Sequence, residues 1–132
     1  MTVGSQAGHD AWRDISDAFN TECPARELLE HITGRWGMLI LTALGAGPRR
    51  YSELHATIGG ISEKMLSQTL RTLVRDGLVA RTVEPTAPPR VFYDLTPLGR
   101  GLIDSMQPLL DWIRQHAIEV VTAQHHYDQE RR

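Results

Sequence analysis

The chain has 132 residues, of which 41% are hydrophobic, enough for one domain with a real core and too apolar for a disordered segment. Its formal net charge is −2, yet residues 35–90 hold eight basic against four acidic side chains, a local +4 between acidic flanks. No apolar run approaches the roughly 20 residues of a membrane span, Met1–Gln6 carries no signal-peptide pattern, and the single cysteine, Cys23, has no internal disulfide partner, all of which point to the cytoplasm.

Residues 1–8 are small and polar and are expected to be disordered. A short helix is expected from about His9 to Phe19, with Trp12, Ile15 and Phe19 on one side. Asn20-Thr21 breaks it. Cys23-Pro24 opens the next helix, with proline at the first helical position, where its missing N–H costs nothing. Leu28, Leu29 and Ile32 are its expected buried face, and Gly34 its end. Trp36 to Leu44 is strongly apolar and reads as a central core helix that Gly45, Gly47 and Pro48 terminate. Ser52 is the expected cap of a short helix that buries Leu54 and Ile58, and Gly59-Gly60 is the turn after it.

The next helix is the most informative segment. Ser62 suits its N-cap, and Gly77 suits the left-handed residue just past its end. Met65, Leu66, Thr69, Leu70, Leu73 and Val74 recur at helical spacing as one apolar stripe. Glu63, Lys64, Ser67, Gln68, Arg71 and Arg75 fall on the other face, which is rich in side chains that read base edges or hold phosphates. Two helices joined by a tight glycine turn make a helix-turn-helix. Leu78–Glu84 and Arg90–Leu95 then read as two strands around a Pro85–Pro89 turn, a wing. Thr96-Pro97 opens a long helix towards about Gln124, with Leu98, Leu102, Met106, Leu109, Ile113, Ala117 and Val120 as its apolar stripe. Pro108 inside it is expected to produce a kink. The expected fold is mainly α with a small β-wing (α+β), a winged helix-turn-helix over residues 9–124, followed by a polar tail over 125–132.

An ordered set of segments resembles the HxlR family, winged-helix transcriptional regulators related to the MarR group. The set is Cys23-Pro24, Gly34-Arg35-Trp36, Leu39-Ile40-Leu41, Gly47 to Leu54, Gly60 to Leu66, Leu70 to Leu73, Asp76 to Val79, Pro88 to Val91 and Tyr93 to Gly99. Four positions depart from the family pattern: Thr33 where Gly is frequent, Tyr51 where Phe is usual, Ser67 where Thr is common, and Phe92 where an acidic residue is frequent. The resemblance implies a homodimer held by the N-terminal and C-terminal helices. The long apolar stripe of the last helix agrees, because an uncovered stripe needs a partner. Trp12, Leu102, Met106, Leu109, Trp112 and Ile113 are the expected interface residues; for the two tryptophans, packing within the monomer is the alternative.

The expected activity is sequence-specific binding of a dimer to double-stranded DNA at an inverted-repeat operator, with half-sites about one DNA turn apart. The candidate DNA-binding residues are Arg49, Arg50, Ser62, Lys64, Ser67, Gln68, Arg71 and Arg90. Arg71 suits guanine or a phosphate, and Gln68 suits adenine. Arg90, stiffened by Pro88-Pro89, suits the minor groove. Cys23 sits at a helix N-terminus, which favours a thiolate, and the resemblance adds that some family members sense oxidants or electrophiles through a cysteine at this position. Its reversible routes are a Cys23–Cys23 bond across the dimer or a mixed disulfide with a small thiol. The alternative is a buried, inert cysteine. His116, His125 and His126 complete no known ligand spacing, so no metal and no cofactor are expected. Two other readings remain: a winged-helix protein-interaction module with an acidic partner, and a regulator controlled by a non-covalent small molecule. Without a phosphate loop, a nucleophile elbow or a metal quartet, an enzyme is not expected.

Overall fold

The computed structural model describes residues 18–131. Five helices and three short strands follow in the order α1 (Pro24–Thr33), α2 (Gly37–Gly45), β1 (Arg49–Arg50), α3 (Tyr51–Thr57), α4 (Glu63–Arg75), β2 (Val79–Glu84), β3 (Arg90–Leu95) and α5 (Pro97–Glu130). The strands form one antiparallel sheet in the order β1-β3-β2. Its register runs Val79 to Leu95 and Glu84 to Arg90 on one side of β3, with Arg50 opposite Phe92 on the other.

The core is built around α2. Ile40, Leu41 and Leu44 of α2 meet Leu54 of α3, Leu66, Leu70 and Leu73 of α4, and Val79 of β2, all fully buried. Burying each such side chain is worth about 1.5–3 kcal/mol. The apolar spacing of α4 therefore does what it predicts: it fixes which face turns inward. Met65, at the margin of the stripe, is exposed.

Local chemistry sets the ends of α4. The Ser62 hydroxyl accepts a hydrogen bond from the Met65 N–H at 3.1 Å. At the other end Gly77 has φ +76, the Leu78 N–H reaches Leu73 O at 3.1 Å, and the Gly77 N–H reaches Val74 O at 3.0 Å. That is the paired 6→1 and 5→2 arrangement of a Schellman cap. The Thr96 hydroxyl donates to Gly77 O at 2.6 Å and accepts from the Gly99 N–H at 3.1 Å. The end of α4 and the start of α5 are thus tied through one side chain.

Several expectations are corrected. Leu28 and Leu29 are exposed (40% and 48%), because among the described residues no element packs over the outer face of α1. Ser52 does not cap α3; Arg50 leaves β1 directly into the helix, and the Glu53 carboxylate accepts from the Arg50 N–H at 3.3 Å. Phe19 lies in a turn and is exposed rather than on a packed helix face. The expected helix over 9–17, with Trp12 and Ile15, and the expected disorder of residues 1–8 lie outside the described residues. The last helix does not end near Gln124 but runs to Glu130, since no glycine or proline interrupts Val120–Glu130. Pro108 lies inside this one helix.

Candidate nucleic-acid interface

With Leu66, Leu70 and Leu73 buried, 3.6-residue periodicity turns Lys64, Gln68, Arg71 and Arg75 outward on α4, and all four are exposed. Of these four, Arg75 alone stands near a carboxylate among the described residues, with its Nη1 3.9 Å from Glu27. Ser62, a candidate DNA contact, has its hydroxyl committed to capping α4. Ser67 is only half-buried at the flank, and its hydroxyl meets the Tyr51 hydroxyl at 3.0 Å. Tyr51 also donates to Glu63 O at 2.9 Å, so its ring braces the first turn of α4. Ser67 is therefore a holder of the helix's position more than a free groove contact. Sequence reading marked Tyr51 and Ser67 separately as departures from the family pattern; only the fold reveals that they touch.

A groove of about 490 Å³ between α3 and the wing brings Arg50 and Arg90 together, 40 residues apart in sequence, beside Tyr51 and Pro88-Pro89. Arg90 is exposed at the start of β3. Arg50 lies across the sheet from Phe92, with its guanidinium carbon 5.7 Å from the ring centre, and its Nε stands 4.0 Å from Glu53. The aromatic ring at position 92 thus gives Arg50 a face to lie on, where an acidic residue would pair with its charge. Arg49 is half-buried opposite Tyr93 in β1.

The other flank of α4 meets α1 and its following turn. His31 Nδ1 and Asp76 Oδ2 are 2.7 Å apart, joining α1 to the C-cap of α4, and Glu27 lies 3.7 Å from His31 Nε2. Sequence reasoning missed this link, which no spacing rule connects across 45 residues. Cys23 is the N-cap of the same α1 and is buried, with 3% exposure. The reading of Cys23 as a buried residue therefore holds for the single chain. Among the described residues no group of three or more histidine, cysteine or acidic side chains converges as a metal site. No described helix is long and apolar enough to cross a membrane.

Residues 31–120 match the HxlR-like helix-turn-helix family. The chain belongs to that family. It is a family of transcriptional regulators, not of enzymes, and DNA is the partner that its helix-turn-helix serves. The HTH-type transcriptional regulator YtfH of Escherichia coli K12 is 48% identical over 103 residues, which cover 78% of this chain and 82% of that protein. The solved structure of the transcriptional regulator ytfH from Salmonella typhimurium is 46% identical, covers 81% of this chain and 96% of its own, and superposes with a TM-score of 0.75. The redox regulator HypR in its oxidised form is 32% identical, over 70% of this chain and 96% of its own, with a TM-score of 0.65. Within this HxlR-type regulator, the expected interface residues of α5 divide. Met106 is buried in the single chain's own core and Leu102 packs against it, because the first turns of α5 lie over α2. Leu109, Trp112 and Ile113 are exposed.

Proposed function

We propose that this HxlR-type chain acts as a homodimer that binds an inverted-repeat operator in double-stranded DNA, each α4 entering the major groove. The observation that carries this reading is the outward face of α4. Lys64, Gln68 and Arg71 stand exposed there while the opposite face is locked into the core. A helix so held presents base-reading side chains at fixed geometry. Arg49, Arg50 and Arg90 would grip the backbone and the minor groove beside it.

Cys23 is proposed as the point at which an oxidant or electrophile controls binding. Two observations favour it: the likeness to a protein described as a redox regulator, and the position of Cys23 at the start of the helix whose His31 holds Asp76 of α4. Because the thiol is buried, the chain around it must open before a reagent can reach it.

The test is to select duplex DNA from a random pool with the purified protein, then footprint the selected site with and without diamide. A protected two-fold repeat supports the operator reading. Protection that changes on treatment, and not in Cys23→Ser, supports the thiol. Protection indifferent to diamide removes Cys23 and leaves a non-covalent effector. Selection of no sequence from the pool sinks the operator reading.

A further inference from the structure

The turn between α1 and α2 carries a cation that the interface described so far does not use. The Arg35 guanidinium carbon stands 4.6 Å from the centre of the Trp36 ring. Trp36 is half-buried against the core, and its ring reaches the turn before α4, where a Cβ built on Gly60 would stand 3.9 Å from it. The ring is therefore wedged between α2 and the helix-turn-helix corner, and Arg35 lies on its outer face.

Arg35 shares a groove of about 190 Å³ with Met65, Gln68, Thr69 and Thr72 of α4. Helical periodicity puts those four on one flank of α4, with Glu63 and Ser67, which touch Tyr51, on the other. The other charged side chains at the groove are engaged. Glu30 pairs with Arg26 at 3.6 Å, and His31 with Asp76. Among the described residues no carboxylate pairs with Arg35, which is exposed.

A helix about 10–12 Å across fills a major groove about 12 Å wide, so the phosphates of the two strands border its two flanks. We propose that Arg35 is a DNA-backbone contact that holds a phosphate on the α1–α2 side of α4, opposite the strand met by Arg50 and Arg90. The inference rests on the DNA-binding reading above. Its place over the Trp36 ring restrains the guanidinium in advance and leaves N–H groups to meet phosphate oxygens. The contact sets affinity and register and carries no base preference.

The test measures binding of Arg35→Gln and of the wild-type protein by fluorescence anisotropy over a range of salt. The probes are the duplex selected by the wild type and a random-sequence duplex of equal length. Loss of one phosphate contact lowers the slope of log K against log salt by about 0.9 for each protomer bound, which is about eightfold in affinity at 0.1 M salt. The same loss is expected on both duplexes, with an unchanged thermal midpoint, and Arg35→Lys is expected to keep the slope. An unchanged slope in Arg35→Gln overturns the proposal. So does a loss confined to the selected duplex, which would make Arg35 a base reader. Failure of the wild type to bind either duplex overturns the DNA reading itself, and this contact with it.

Discussion

Tyr51 and Ser67 depart from the family pattern together, and the two hydroxyls meet at 3.0 Å. Tyr51 donates to Glu63 O, leaving its own oxygen to accept from Ser67. The pair adds two hydrogen bonds between the start of α3 and the first turn of α4. Tyr51→Phe is expected to cost about 1 kcal/mol of stability, seen as a lower urea midpoint with an unchanged m-value. An unchanged midpoint would mean that water serves these groups equally well. Arg71 belongs to the same scale. Its exposure on α4 makes Arg71→Ala expected to weaken binding to the selected operator by about 1–3 kcal/mol. A variant that binds as tightly as wild type would remove Arg71 from the interface.

At the scale of elements, two glycines set how closely the helices dock. A Cβ on Gly99 would stand 2.1 Å from Leu78 O, and one on Gly37 would stand 2.0 Å from His31 O. Both obstacles are backbone carbonyls, which cannot swing aside as a side chain can. Gly99→Ala must therefore push α5 away from the end of α4, and a cost of about 3 kcal/mol is expected. Gly101→Ala, with nothing within 4 Å of the new Cβ, is the contrast. There the usual helix preference for alanine should raise stability by about 0.5–1 kcal/mol. Thermal denaturation of the two variants side by side decides it: equal midpoints would mean that α5 docks more loosely than these distances say. The His31–Asp76 pair ties α1 to α4 in the same way. Asp76→Asn removes the charge from a contact only partly open to water, and a loss of about 1–2 kcal/mol is expected.

For the whole molecule, the decisive feature is the far part of α5. Beyond Met106 the helix carries Leu109, Trp112, Ile113 and Val120 along one exposed face. Trp112 alone is 54% exposed, although its ring centre lies 4.7 Å from that of His116. An apolar stripe of that length is a liability for a lone chain and suits the proposed homodimer. Ile113→Asp should yield monomers by light scattering and weaken operator binding, since a single recognition helix reaches only one half-site. A variant that stays dimeric would move the interface away from this stretch.

The sequence by itself determined the order of helices from Pro24 onward, the inward face of α4, both of its caps and the two-stranded wing, because periodicity and end signals act within a few residues; the two-residue strand β1, which only its pairing with β3 defines, it did not show. It also determined the family, through ordered short segments spread over most of the chain. Tertiary structure alone decided which members of an apolar stripe the chain covers. Leu28 and Leu109 read like Leu66 in sequence, but among the described residues no element packs over them. Met106 looks like its neighbours on α5, yet the crossing over α2 takes it into the core. The long-range pairs belong to the same class: Tyr51 with Ser67, His31 with Asp76, Arg50 with Arg90, and Arg35 with the flank of α4. Each joins segments that only chain crossings bring together, and one-dimensional spacing carries no record of a crossing.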